Sequence, residues 1–166
     1  MSDENLFWCL KQKRGIRIIE PNPNLAKAYL KKAISALNTM SAAYKIKETD
    51  WILTTAYYAR YFALYALLMK IGIKSEIHDC TINIGKLLSN NGILTPSLIE
   101  DIAKAKQTRI DTQYYVEKEQ SPKTIQRNLE AARIFVIETE KTIDNITTEQ
   151  INNIRVKLKK LKEVAT

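Results

Sequence analysis

Residues 51–69 form the segment that most constrains the fold. The stretch WILTTAYYARYFALYALLM is apolar or aromatic at nearly every position, and its one charged residue, Arg60, lies near the centre. A central charge is costly in a membrane span, and two threonines and four tyrosines dilute the apolar character further. A helix that is apolar on all sides also fits the middle of a soluble bundle. We therefore predict a central bundle helix, with Asp50 as its N-cap and Gly72 as its stop.

The composition favours one all-α domain. The 166 residues include only 4 glycines and 4 prolines, too few for a sheet protein with many tight turns. Apolar residues recur at three- and four-residue spacings before and after the central segment. These patterns predict an antiparallel helical bundle of about five main helices with an extra C-terminal helix. We expect an N-terminal arm over 1–20, the bundle over 21–146, and a basic C-terminal helix of the same domain over 147–166.

Helix boundaries are indicated by capping residues. Ser75 is the expected cap of a short helix that runs to about residue 89. Thr95 and Ser121 each precede a proline, which is favoured at the first helical position, and they predict helices over about 96–117 and 122–144. Thr147 and Gln150 have the spacing of a capping box and predict the start of the last helix.

The net charge of +8 is spread along the chain. A diffuse basic surface attracts acidic partners without specifying one. Two interpretations stay open: contact with a nucleic acid, or a charge excess that only keeps the protein in solution.

The cysteines indicate neither zinc nor a disulfide framework. Cys9 and Cys80 are 71 positions apart, outside any Cys-x-x-Cys spacing, and the chain has a single histidine. We therefore expect no metal and a cytoplasmic location. The N-terminus also lacks the apolar run of a secretory signal. His78, Asp79 and Cys80 point about 100° apart on a helix and cannot converge on one ion.

Three residues are the first candidates for chemistry. His78 is the sole imidazole, and it either lines a dimer cleft or serves as a capping or packing residue. Arg60 and Arg109 occupy helical positions that the periodicity assigns to apolar side chains. Each either forms a structural ion pair or meets an anion, for which the planar guanidinium is suited.

Other catalytic signals are absent from the sequence. There is no phosphate-binding Gly-rich loop, no dinucleotide fingerprint and no Gly-x-Ser-x-Gly motif. The tyrosines of the central helix are interpreted as core and interface residues rather than as a base-stacking platform.

Several segments together resemble an archaeal HEPN-domain protein. They are FWCLK at 7–11, YYARYFALYALL at 57–68, GIKS at 72–75 followed by His78, and RID at 109–111 followed by Tyr114 and Tyr115. The most specific element is the long aromatic helix that ends in a glycine, then a Lys-Ser pair and a histidine three positions on. The similarity covers about residues 5–145.

The resemblance implies a helical bundle, a homodimer with a cleft between protomers, and a minimal nucleotidyltransferase as partner in a toxin–antitoxin pair. Active members of the family resemble metal-independent endoribonucleases, in which an arginine is followed after four to six residues by a histidine. The arginine would be Arg109. The positions after it hold Tyr114, Tyr115 and Val116, so the histidine is missing.

The sequence therefore favours a non-catalytic binding module without a cofactor. It would engage a nucleotide, an RNA phosphate or a nucleotidyltransferase partner, and no membrane. The candidate groove residues are Arg109, Tyr114, Tyr115, Arg60 and His78. The alternative is a weak metal-independent endoribonuclease that uses Arg109 and His78, because His78 could replace the missing residue if the fold brought it near Arg109.

Overall fold

The computed structural model describes residues 4–115 and 119–165, which form seven helices and one two-stranded sheet. In chain order the elements are α1 (Glu4–Lys11), β1 (Arg17–Ile18), α2 (Pro23–Lys45), α3 (Thr49–Ile71), β2 (Ile73–Lys74), α4 (His78–Asn90), α5 (Pro96–Tyr114), α6 (Pro122–Asn145) and α7 (Thr148–Ala165). The predicted all-α bundle is confirmed.

Helix α3 is the centre of the bundle, as its apolar sequence predicts. It packs against α2, α5 and α6, and most of its side chains are buried, including Tyr57, Tyr61 and Tyr65. A helix buried on every side has no polar face, which accounts for its uniform apolar pattern. Within residues 4–115 and 119–165, no helix combines the length and apolar character that a membrane crossing requires.

Most of the predicted caps are present. Gly72 ends α3 at a φ of 83°, a left-handed conformation that glycine adopts without a Cβ penalty. The Ser121 side chain accepts a hydrogen bond from the backbone N–H of Thr124. Thr147 and Gln150 form the reciprocal capping box, with N–H to side-chain oxygen distances of 3.0 and 3.1 Å.

Two predicted helix caps were wrong, and the short sheet was not predicted. The N-cap position of α3 is Glu48 rather than Asp50, and α4 begins at His78 rather than after Ser75. The Ser75 hydroxyl instead donates to the carbonyl of Ile77, so it forms a local turn and caps no helix. The strands β1 and β2, which pair antiparallel, were not predicted because two residues are too few for an alternating pattern. Helix α5 ends at Tyr114 within the described residues, and Val116 lies outside them.

Helix α7, at the C-terminal end of the described chain, packs against the N-terminal end. It packs against α1, and its Arg155 lies over the end of α3. Arg155 Nη1 donates to the carbonyls of Ile19, Ile71 and Gly72, at 2.6, 3.2 and 3.0 Å. A Cβ at residue 72 would lie 2.6 Å from the Ile19 carbonyl oxygen and 2.8 Å from the Pro21 nitrogen, so the close approach of these backbone atoms also requires glycine.

The structure revises the prediction that Arg60 lines a ligand groove. The Arg60 side chain is fully buried in the core, where its Nε donates to Asp101 Oδ2 at 2.6 Å and its Nη1 to the Ala56 carbonyl at 2.9 Å. Its Nη2 also reaches Asp101 and Asn128. With its donors engaged inside the bundle, Arg60 is the structural ion pair that the sequence left open as its alternative role.

Removing the acidic partner of Arg60 should destabilise the protein strongly. The substitution Asp101→Ala leaves a buried guanidinium without a counter-charge, so we expect the free energy of unfolding to fall by about 3 kcal/mol. The double variant Arg60→Met/Asp101→Leu should recover most of this loss, because two apolar side chains bring no charge into the core and so avoid the cost of desolvating it. Urea denaturation of both variants checks this prediction. An equal decrease in the free energy of unfolding in the two variants would contradict it.

The expectation that the cysteines form no disulfide was wrong. Cys9 of α1 and Cys80 of α4 are bonded, with their Cα atoms 5.5 Å apart, and both are buried. A separation of 71 residues along the sequence carries no information on their distance in the fold. The cytoplasmic location inferred from free thiols stays a prediction.

This disulfide should contribute substantially to stability. A crosslink between residues 71 apart lowers the entropy of the unfolded chain, which corresponds to about 4 kcal/mol. We expect the free energy of unfolding of the Cys9→Ser/Cys80→Ser variant to be lower than that of the oxidised protein by that amount, which lowers its urea midpoint. Addition of a dithiol should lower the midpoint of the native protein and leave that of the variant unchanged. A native midpoint insensitive to confirmed reduction would contradict the prediction.

Candidate anion-binding site

Tyrosines of α3 enclose the histidine at the start of α4. The Tyr57 hydroxyl and His78 Nδ1 are hydrogen-bonded at 2.6 Å. The Tyr61 ring stacks on the imidazole with ring centroids 4.1 Å apart and planes only 6° from parallel. The Tyr58 ring meets the imidazole edge-on at 6.4 Å. These contacts surround the imidazole and orient the plane of its ring.

Arg109 of α5 reaches the same tyrosines. Its guanidinium carbon lies 4.9 Å from the centre of the Tyr57 ring and 5.7 Å from that of Tyr58, which are cation–π distances. Its Nη1 donates to the Tyr58 hydroxyl at 3.4 Å, whereas its buried Nε has no hydrogen-bond partner among the residues that the structure describes. No carboxylate in residues 4–115 or 119–165 forms an ion pair with Arg109, in contrast to Arg60.

A second cation lies one helical turn before Arg109. The Lys106 side chain forms an ion pair with Asp79, the residue after His78. The Asp79 side chain is 67% exposed, so water screens this pair. The site therefore has two cations and one carboxylate around a partly buried imidazole.

This environment lowers the proton affinity of the imidazole. Burial, followed by the charges of Arg109 and Lys106, lowers the pKa of His78 from its usual 6.5, and Asp79 offsets only part of the effect. Burial also raises the pKa of Tyr57 and of Tyr61. At neutral pH the histidine is therefore uncharged and both tyrosines keep their protons.

Helical spacing accounts for the convergence on α3 and α5. Tyr57 and Tyr61 are four residues apart on α3, and Lys106 and Arg109 are three apart on α5, so each pair shares a face. The sequence analysis selected His78 and Arg109, and in the structure both contact Tyr57. It missed Tyr57, Tyr61 and Lys106 as site residues. The four-residue spacing was visible in the sequence, but the faces that meet are set by the fold.

The remaining predicted groove residues lie elsewhere. The Tyr114 side chain is 74% exposed at the end of α5, and no described contact joins it to His78 or Arg109. Tyr115 follows the helix and lines a separate cavity of about 480 Å³ together with Thr112 and Gln113. Val116, the third position predicted for a histidine, lies outside the described residues. The site brings together two of the five predicted residues.

The described residues contain no obvious metal centre. No group of three or more histidine, cysteine, aspartate or glutamate side chains converges within residues 4–115 and 119–165. Cys80 is bonded to Cys9 and so offers no thiolate. The predicted lack of a metal and of a cofactor stays a prediction.

The sequence comparisons agree with this architecture. The family model of the HEPN domain matches residues 26–142, which is more than half of the chain and includes α3, α4 and α5. The chain therefore belongs to the HEPN family, a family of helical domains with nucleotide- or RNA-related roles. No curated protein matches the chain significantly.

The lowered pKa of His78 predicts a loss of stability in mild acid. The unfolded chain binds the histidine proton near pH 6.5 and the folded chain only at lower pH, so the free energy of unfolding falls as the pH drops through that interval. An NMR titration should place the pKa of this sole histidine below 6.5. In His78→Gln the fall in stability between pH 7 and pH 5 should be smaller. A pKa at or above 6.5 would contradict the prediction.

Proposed function

We propose that this protein is a non-catalytic HEPN binding module that holds a phosphate group of a nucleotide or of RNA between Arg109 and His78. The observation that carries the proposal is Arg109 itself, a partly buried guanidinium without a carboxylate partner among the described residues. A planar cation with free donors is well suited to a phosphate, which accepts two parallel hydrogen bonds.

The hydrogen bond from Tyr57 gives the histidine a defined role in this proposal. A phenol is a better donor than a neutral imidazole, so the Tyr57 O–H is expected to donate to Nδ1. The proton of neutral His78 then resides on Nε2, which becomes a donor for a phosphate oxygen. Lys106 adds positive potential but is engaged by Asp79.

The small number of proton-transfer groups in the site supports binding rather than cleavage. Metal-independent RNA cleavage needs one group to accept the proton of the 2′-hydroxyl and another to donate a proton to the leaving oxygen. His78 is the only described residue of this site suited to such a proton transfer, because burial raises the pKa of Tyr57 and keeps its hydroxyl protonated. One such group is too few for both proton transfers.

The assembly and partner also belong to the proposal. HEPN domains often dimerise, and a homodimer would place two such sites in one particle. A nucleotidyltransferase chain is the partner that the family resemblance suggests. Light scattering of the purified chain alone tests whether it forms a homodimer. The same measurement with a co-expressed candidate partner tests whether the two chains form a complex.

Phosphate binding should depend on the guanidinium of Arg109. We expect Arg109→Met to weaken adenosine monophosphate and short single-stranded RNA binding by about tenfold or more, since a charge-assisted hydrogen bond contributes about 1.5–3 kcal/mol. Isothermal titration calorimetry measures this at fixed salt. Arg127→Met, an exposed residue of α6, removes the same charge and should retain the native affinity. Equal loss in the two variants, or no binding by the native protein, would contradict the proposal.

A second function is favoured by one observation. The fold brings His78 of α4 to the ring of Tyr57 that Arg109 also contacts, which supplies an imidazole that α5 lacks. A weak metal-independent endoribonuclease using Arg109 and His78 is therefore the alternative. Cleavage of labelled RNA in the presence of a chelator that disappears in both Arg109→Ala and His78→Ala would replace the binding proposal with this one.

A further inference from the structure

The N-terminal segment, defined here as residues 4–18, lies outside the part of the chain that matches the HEPN family. It nevertheless contacts the start of α4, the helix that begins with His78. Two independent connections, one covalent and one ionic, attach the segment on either side of that histidine.

The covalent connection lies two residues after His78. Cys80 is in the first turn of α4 and is bonded to Cys9 of α1. Both cysteines are buried, with exposed fractions of 0% and 1%. A crosslink in the first turn restrains the backbone of α4 close to His78.

The ionic connection lies two residues before His78. The Glu76 carboxylate accepts from Arg14 Nε at 2.9 Å and from Arg17 Nη2 at 2.8 Å, and Lys74 Nζ lies 3.1 Å away. The Glu76 backbone N–H also donates to the Arg14 carbonyl at 2.9 Å. These cations lower the pKa of Glu76 to about 2, so the cluster stays ionised down to low pH.

The N-terminal end of α4 is only weakly stabilised by residues of the helix itself. Its N-cap position is Ile77, and no side chain caps the first turn. Uncapped helix ends fray because their first N–H groups lack partners. The position of His78 therefore depends on groups outside the helix.

We propose that the N-terminal segment is a positioning element for His78, and that the oxidised Cys9–Cys80 bond is required to hold the imidazole against Tyr57 and Tyr61. The segment does not touch the ligand. Its effect on affinity rests on the proposed function, whereas its effect on the geometry of His78 does not.

The oxidation state of the cysteine pair then controls the site. A dithiol reductant attacks one sulfur, forms a mixed disulfide and closes to its own cyclic disulfide. Two electrons and two protons pass to Cys9 and Cys80, which become thiols. Because both cysteines are buried, exchange requires α1 to lift from α4 and α7 first.

The test reads the histidine directly. The chain has one histidine, so its imidazole NMR signals need no further assignment. The groups that face it are Tyr57, Tyr58 and Tyr61 from α3, Lys106 and Arg109 from α5, and Asp79 from its own helix. In the oxidised protein the stacked Tyr61 ring should shift these signals away from their free-imidazole positions.

After reduction, or in Cys9→Ser/Cys80→Ser, we expect the ring-current shift to diminish and the pKa of His78 to rise toward its ordinary value. Tyr57→Phe, which keeps the disulfide and loses the hydrogen bond, is the reference for a disturbed imidazole. Thiol titration confirms reduction, and circular dichroism confirms that the helices persist. Unchanged histidine signals in a fully reduced, folded protein would overturn the proposal.

A second variant covers the case in which the cysteine variant fails to fold. Glu76→Gln keeps the disulfide and removes only the ionic connection, so it should shift the histidine signals in the same direction by a smaller amount. Glu149→Gln, an exposed acid of α7, is the charge-matched control and should not move them. Identical histidine signals in Glu76→Gln and the native protein would overturn the ionic half of the proposal.

Adenosine monophosphate affinity is measured on the same samples. If reduction moves the histidine and lowers the affinity about tenfold, both proposals are supported. A loss of this size is typical when a residue that orients a binding group is removed. If the histidine moves but neither redox form binds the nucleotide, the positioning role stands and the phosphate-binding function fails. If both forms bind equally while the histidine moves, the claim that oxidation state controls the site fails.

Discussion

The burial of α3 on every side is the constraint on which the other features depend. A helix surrounded by α2, α5 and α6 cannot expose a polar face, yet this one carries an arginine at its centre. The guanidinium of Arg60 is accommodated because α5 supplies Asp101 and α6 supplies the carbonyl of Asn128. The ion pair thus ties three helices together, and its geometry determines how α5 is placed against α3.

That placement also forms the candidate site. Arg109 lies two helical turns after Asp101 on α5, so the ion pair that fixes α5 brings Arg109 to the tyrosines of α3. The two arginines had the same appearance in the sequence, since each occupied an apolar helical position. Their environments differ because Arg60 meets a carboxylate in the core and Arg109 meets aromatic rings at a partly exposed position. A cation that has no partner carboxylate among the described residues is the feature that makes the site suited to an anion.

The sequence predicted several features that depend on neighbouring residues, although the Asp50 and Ser75 caps were wrong, and it missed what depends on distant ones. Gly72, Ser121 and the Thr147–Gln150 box act within one turn, and all three were confirmed. The Cys9–Cys80 bond depends on which faces of distant helices meet, and local periodicity does not encode that. His78 and Arg109 were selected for their chemistry, but only the fold shows that they share Tyr57.

The contact of Arg155 with three carbonyls has a consequence for biosynthesis. The oxygens of Ile19, Ile71 and Gly72 belong to segments translated well before α7. The guanidinium can reach them only after the ribosome has released Arg155. The pairing of β1 with β2 and the bond from the Ile19 N–H to the Gly72 carbonyl at 2.9 Å need no part of α7, so Arg155 adds its hydrogen bonds to a seam that the earlier segments can already close.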